Sequence, residues 1–163
     1  MVKLQPADVS DQLVQAVCSI YSTSTNSDEL VVQRYCADCI FTDPLVHVFG
    51  QADVQAQFRS LRMLFNDIDF QLHGSSIMGE CLVIHAKVSY FPRIFPRACV
   101  VQVEQFTKLT LRDGRILVHE DHWSIHGTLQ VALGLGWIYG VWRQVFGKVS
   151  SRAINFLGKR KDA

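Results

Sequence analysis

Residues 119–126 read His-Glu-Asp-His-Trp-Ser-Ile-His, which sets three imidazoles and two carboxylates in eight positions. Such residue types can hold a metal ion or move protons, and spacing decides between these uses. A zinc-protease helix needs histidines four apart, so that both imidazoles share one face. His119 and His122 are three apart, and the stretch follows a turn signal, Leu-Arg-Asp-Gly-Arg-Ile at 111–116, and an alternating run. That pattern predicts a strand, along which side chains alternate faces. Leu117, His119, Asp121, Trp123 and Ile125 then share one face, and Glu120, His122, Ser124 and His126 the other. The imidazoles are divided, so no metal site is expected here. What remains is His119 beside Asp121, either an acid–base pair or two groups that orient each other.

The five cysteines form no regular framework, which predicts free thiols and a reducing, cytoplasmic setting. Cys36 and Cys39 make a C-x-x-C, but no second pair completes a zinc ribbon and no βαβ pattern surrounds it, so buried structural thiols are expected. The first residues turn polar at once, without a signal-peptide pattern. With 163 residues and 48% hydrophobic composition, the chain has room for one real core. A net charge of +1 offers no general attraction to nucleic acid, and no such partner is expected. The charge is unevenly spread. Residues 1–126 hold 10 basic and 14 acidic side chains, a balance of −4, and residues 127–163 hold 6 and 1, a balance of +5.

The elements that must position these groups follow from periodicity. Val9, Leu13, Val17, Ile20 and Tyr21 recur at helical spacing and predict an amphipathic helix over 7–22. Ser27, followed by Asp28 and Glu29, predicts the cap of a short helix ending near Arg34. Residues 39–44 predict a short strand ended by Pro44, and Val54, Phe58, Leu61 and Phe65 predict a third helix. The period then shifts to two. Strands are expected over 67–73, 80–91, 98–111 and 115–126, linked by His-Gly-Ser-Ser, a Phe/Pro corner and Arg-Asp-Gly. In the second of these, His85 lies opposite Leu82, Ile84 and Ala86 and is expected to be exposed. Helices followed by mostly antiparallel strands predict an α+β domain, with helices on one face of a curved sheet.

Over about residues 8 to 126 the pattern resembles nuclear transport factor 2-like, SnoaL-like domains. Tyr35, Asp38, Phe41, Asp43, Pro44 and Gly50 match the early motif, and Asp113, Gly114, Arg115, Ile116, His119, Asp121 and Trp123 match the late hairpin. The resemblance implies a cone of three helices against a strongly bent sheet, an apolar cavity, and pairing into a homodimer. Relatives include ketosteroid isomerases, polyketide cyclases, dehydratases, epoxide hydrolases and domains that only bind; fold does not choose among them. Catalytic members place carboxylates, with Tyr, His or Arg partners, in an apolar pocket that raises a carboxylic acid's pKa. The corresponding set here is Tyr35, Asp43, His119 and Asp121, with Phe41, Phe58 and Trp123 as pocket walls. The same residues also admit a structural reading: Asp43 capping a turn, His119 and Asp121 orienting each other, Tyr35 and Trp123 closing the core. No arginine–aspartate pair at an epoxide-hydrolase spacing is visible.

Residues 127–163 depart from that family. Gly127 to Trp142 are 16 uncharged residues, short of the ~20 needed to span a bilayer. Beyond them Trp142, Phe146, Val149 and Phe156 fall on one helical arc bordered by Arg143, Lys148 and Arg152, with Trp137 before it and Lys-Arg-Lys near the end. This is the pattern of a helix lying at a lipid–water interface. The competing expectation is a helix that packs on the domain or across a dimer. Taken together, the expected protein is a domain (1–126) that binds an apolar small molecule or lipid, docked on a membrane or lipid-droplet surface by segment 127–163, without a cofactor. The alternative is an isomerase-, cyclase- or dehydratase-type enzyme using Asp43 or Asp121 with Tyr35 and His119; a nuclear-transport adaptor is a third class.

Overall fold

A computed structural model describes residues 6–94 and 100–124 together with Val141. The elements run α1 (Pro6–Ile20), α2 (Ser27–Arg34), β1 (Tyr35–Thr42), β2 (His47–Phe49), α3 (Gln51–Leu64), β3 (Phe65–Met78), β4 (Cys81–Pro92), β5 (Val101–Arg112) and β6 (Arg115–Trp123). The strands form one sheet in the order β2-β1-β6-β5-β4-β3. Only β1 and β6 pair in parallel; the other neighbours are antiparallel. The expected α+β architecture is present, and its helices bury one face of the sheet. The 127–163 segment, proposed to dock on lipid, lies outside the described residues apart from Val141, as do the Phe/Pro corner at 95–99 and Ile125 and His126.

The core is built by the periodicities. Leu13, Val14, Val17, Ile20 and Tyr21 of α1 and the residue after it are buried, as are Val54 and Phe58 of α3. They meet the alternating inward residues of the sheet: Leu82, Ile84, Ala86 and Val88 of β4, and Val103 and Leu109 of β5. Cys36 and Cys39 are buried free thiols, and burial pushes the Cys39 thiol up to about 11. A thiol held that high stays protonated and inert near neutrality.

Several boundaries differ from the periodic reading, each for a local reason. The cap of α2 is Asn26, whose side-chain oxygen accepts from the Asp28 N–H at 3.3 Å; Ser27 begins the helix itself. Asn is as good a cap as Ser, and its side chain here accepts from the amide of the second helical residue. Strand β2 was not anticipated; its three residues pair with Ile40, Phe41 and Thr42 of β1. His-Gly-Ser-Ser at 73–76 is not a connection but the middle of β3, where Gly74, Ser75 and Ser76 pair with His85, Ile84 and Val83. Ladder hydrogen bonds to β4 hold these exposed residues extended despite their turn-forming composition. The β5–β6 turn, in contrast, follows its Asp-Gly signal: Asp113 and Gly114 both have positive φ (54° and 74°), as a two-residue hairpin with the primed turn requires.

Register shifts in β1, β3 and β6 locally break the strict alternation. In β6, Thr110 pairs with Val118 but Leu111 with Ile116, so Leu117 is inserted. Alternation alone puts Leu117 inward with His119. The bulge reverses the phase, so Ile116 is fully buried and Leu117 only partly.

Gly50 starts α3 with φ +79° and ψ 156°, a conformation that suits glycine almost alone, while its N–H donates to the Cys39 carbonyl at 2.7 Å. Gly50→Ala is expected to cost about 1–3 kcal/mol through backbone strain. Gly74→Ala, in β3 with a negative φ and open space around a new Cβ, should leave stability unchanged or slightly raised. Urea unfolding of the two variants against wild type checks both.

Candidate functional site

Among the described residues, a connected polar cluster sits inside the largely apolar core. Its centre is Asp121 on β6, only 5% exposed. One carboxylate oxygen, Oδ1, accepts from Thr107 Oγ1 at 2.6 Å, Gln105 Nε2 at 3.0 Å and His119 Nε2 at 3.1 Å. The other, Oδ2, accepts from the Tyr21 hydroxyl. His119 is fully buried; its Nδ1 meets the Tyr35 hydroxyl at 2.7 Å. Both ring nitrogens of His119 therefore have a partner, Nε2 in Asp121 and Nδ1 in the Tyr35 hydroxyl. Gln105 also donates to the Tyr21 hydroxyl at 3.1 Å, and the Tyr90 hydroxyl lies 3.5 Å from its Oε1.

Each part comes from a different element. Tyr21 follows α1, Tyr35 opens β1, Gln105 and Thr107 take inward positions of β5, and His119 and Asp121 take inward positions of β6. Antiparallel register sets Thr107 opposite Asp121 and Gln105 opposite Trp123. Aromatic rings complete the enclosure. Phe41 and Phe58 stand 5.2 and 5.8 Å from the His119 ring, Tyr35 stacks on it at 6.0 Å, and Phe70 stacks on Tyr21 at 5.1 Å.

The electrostatics follow from this packing. Burial would raise the Asp121 pKa, but attraction to the His119 imidazole and hydrogen bonds from His119, Thr107 and Tyr21 outweigh it, leaving the carboxyl below its ordinary value. Tyr21 and Tyr35 move the opposite way. Burial, then the negative charge of Asp121, raises both phenols well above their ordinary range, so both remain donors. Tyr90 is raised by burial first, then by Asp121 and Asp43.

Of the four residues expected to share a site, the structure joins Tyr35, His119 and Asp121. Asp43 is not hydrogen-bonded to them: its carboxylate accepts from the Leu45 and Val46 amides, each at 2.7 Å, and its own N–H donates to Val46 O at 2.9 Å. It caps the turn that carries Pro44, as a short acceptor side chain readily does. Phe41 and Phe58 are buried against the cluster, while Trp123 is partly exposed beside it. The faces of β6 are as alternation places them beyond the bulge: Glu120 turns outward to Lys108 at 2.7 Å, and His122 is exposed. Tyr21, Gln105 and Thr107 were not anticipated as cluster members. In the sequence Tyr21 reads as part of the apolar stripe of α1, whereas Gln105 and Thr107 carry a legible signal, two polar residues in the inward phase between Val103 and Leu109. His119 and Asp121 bring only two metal-ligating side chains to the interior, and their donor atoms are committed to one another and to Tyr35, Gln105 and Thr107.

A three-helix layer on a curved mixed sheet, with a polar cluster buried between them, is the nuclear transport factor 2-like fold. Comparison with solved structures shows the same fold at low sequence identity. A protein of ketosteroid isomerase-like fold from Catenulispora acidiphila, in complex with trimethylamine, is similar at TM-score 0.66 and 18% identity over 74% of this chain and 92% of that one. A protein described as a SnoaL-like polyketide cyclase from Jannaschia sp. CCS1 is similar at TM-score 0.68 and 13% identity, over 81% and 97%. An LEH-like epoxide hydrolase from M. tuberculosis is similar at 0.64 and 13%, over 83% and 96%. No family model and no curated protein matches the sequence.

Replacing Asp121 by Asn would direct an amide N–H₂ or a single carbonyl at four donors. The expected loss is about 3–5 kcal/mol, as when one partner of a buried pair is removed. The depressed carboxyl also sets a pH dependence. Its contribution is complete above the unfolded-state value near ~4 and fades as pH falls through the lower native value. Unfolding free energy of the wild type should therefore decline in acid below about pH 4, and Asp121→Asn should flatten that limb. Urea titrations from neutral to acidic pH read both effects.

Proposed function

We propose that this domain is a receptor for a small, largely apolar molecule, admitted at the partly exposed edge of the core marked by Tyr90, Val101 and Trp123. The observation that carries this reading is the heavy hydrogen bonding of Asp121, three donors on Oδ1 and one on Oδ2. A general base of the ketosteroid isomerase kind needs a carboxylate with a raised pKa and a free lone pair. Asp121 has a lowered pKa and accepts from four side chains. Its role is to fix Tyr21, Gln105 and His119 in orientation, which suits a rigid recognition surface. Tyr90, partly exposed with its hydroxyl 3.5 Å from Gln105 Oε1, would meet a polar end of the ligand, with Phe70 and Trp123 for its apolar body.

The enzyme reading retains one supporting observation, the series Asp121–His119–Tyr35, in which a carboxylate orients an imidazole that meets a phenol at 2.7 Å. In that reading Tyr35, not Asp43, delivers the proton. The proposal further holds that segment 127–163 docks the domain on a membrane or lipid droplet through Trp137, Trp142, Phe146 and Phe156, with Arg143, Lys148 and Arg152 at the lipid headgroups. No helix among the described residues is long and apolar enough to cross a membrane.

The receptor reading is tested with Trp137→Phe and Trp142→Phe in place, so that emission reports Trp123. Titration with steroids, fused-ring polyketides and fatty acids should give a saturable shift for one class, weakened by Tyr90→Phe. No saturable shift for any class rejects a receptor; turnover of a bound compound that Tyr35→Phe abolishes favours the enzyme. Docking is tested by pelleting with liposomes. Burying three aromatic side chains is worth roughly 1.5–3 kcal/mol each, so Trp142→Glu with Phe146→Glu should release the full chain from all vesicles. Changing Lys159, Arg160 and Lys161 to Ala should weaken binding mainly to anionic ones; a full-length chain that ignores every vesicle composition overturns docking.

A further inference from the structure

The sheet's outer face, turned away from the helices, carries a second cluster that the interior chemistry does not use. His85 lies at the middle of β4, half-exposed, with its Nε2 3.0 Å from Glu104 Oε2 on β5. The bulge in β3 supplies a third group. Leu72 pairs with Ala86 and Gly74 with His85, so His73 is the inserted residue. Its exposed ring stands 4.9 Å from that of His85. Among the described residues this is the one set of three ligand-type side chains whose donor atoms lie within 4.8 Å of one another. Phe106 stacks flat on the His85 ring at 4.3 Å and 4°, which holds that imidazole in orientation.

We propose that His73, His85 and Glu104 form a binding site for one divalent transition-metal ion of the zinc class. Two imidazoles and a carboxylate are borderline ligands suited to Zn²⁺, Co²⁺, Ni²⁺ or Cu²⁺, and unlike the all-oxygen shells of Ca²⁺ and Mg²⁺. Metal–ligand distances near 2.0–2.2 Å place the donor atoms of a tetrahedral site about 3.3 Å apart. The 3.0 Å His85–Glu104 separation is already close to that value, and exposed His73 needs only a side-chain rotation to complete the set. A hydrogen bond between His85 and Glu104 would account for two of the three; the bulge adds a third ligand-type side chain beside them. Three protein ligands leave at least one position for water or another ligand. The ion would tie β3, β4 and β5 together and stabilise the sheet by mass action.

The test uses full-length protein stripped with a chelator and titrated calorimetrically with ZnCl₂, with Co²⁺ absorption as a report on ligand type. Wild type should bind one ion, raise its Tm with added zinc, and be indifferent to Ca²⁺ and Mg²⁺. His73→Ala and Glu104→Gln change exposed side chains and should keep the fold by circular dichroism, yet each should weaken zinc binding by at least about tenfold. His122→Ala and Cys81→Ser should bind as wild type. Zinc affinity unaltered in both His73→Ala and Glu104→Gln overturns the site, as do intense thiolate charge-transfer bands in the Co²⁺ spectrum or an absence of zinc binding.

Discussion

The fold is organised around one buried carboxylate. An ionised Asp in an apolar core costs several kcal/mol unless its lone pairs are filled, and Asp121 is filled by donors from three separate elements. That requirement constrains much else. Helix α1 must end where Tyr21 reaches the carboxylate, β5 must pair with β6 so that Thr107 faces Asp121, and β1 must start where Tyr35 meets His119. A slip of one residue between β5 and β6 would turn the inward polar set toward solvent and bury their neighbours. The polar cluster therefore specifies register, a task that Val103, Leu109 and Ile116 would perform less selectively because apolar contacts tolerate small displacements.

Bulges divide the labour between the two faces of the sheet. The one at Leu117 lets Ile116 and His119, three residues apart, both point inward. The one at His73 adds an outward imidazole beside His85. In each case one inserted residue places a side chain where strict alternation could not, and the strand bends more strongly as a result. Curvature and the two clusters thus share a cause. The face toward the helices holds a saturated network, and the face away from them holds a set whose separations leave room for an ion.

How much of this could be read from sequence depended on distance along the chain. The helices, the four long strands, the Asp113-Gly114 turn and the inward facing of His119 and Asp121 follow from local period and turn chemistry, and all were legible. The bulges were not, because they answer to the partner strand rather than to local composition. Tyr21 meets Asp121 from 100 positions away, so its hydroxyl gave no local sign of its partner and the residue read as one more apolar position on α1. Asp43 shows the opposite case, in which the turn-capping alternative describes its hydrogen bonds. It matches the family motif, but its own turn amides lie within three residues and capture the carboxylate first. His73, His85 and Glu104 sit on three strands without any motif spacing, and only the sheet brings them together.

Fold alone does not separate binding from catalysis, and the difference lies in whether a buried group retains unused capacity. A catalytic carboxylate must keep a lone pair for the substrate and tolerate protonation near the working pH. Asp121 is poorly suited on both counts: Oδ1 accepts three hydrogen bonds and Oδ2 one, and its pKa lies below the ordinary carboxylate value. Restoring a base would require removing donors, and each removal would leave a polar partner unpaired in the core. Stability and base catalysis at this carboxylate are therefore opposed. The group with least commitment is Tyr90, whose hydroxyl is 3.5 Å from Gln105 at the partly exposed edge. The proposed receptor would recognise its ligand there, with the Asp121 network behind it supplying rigidity.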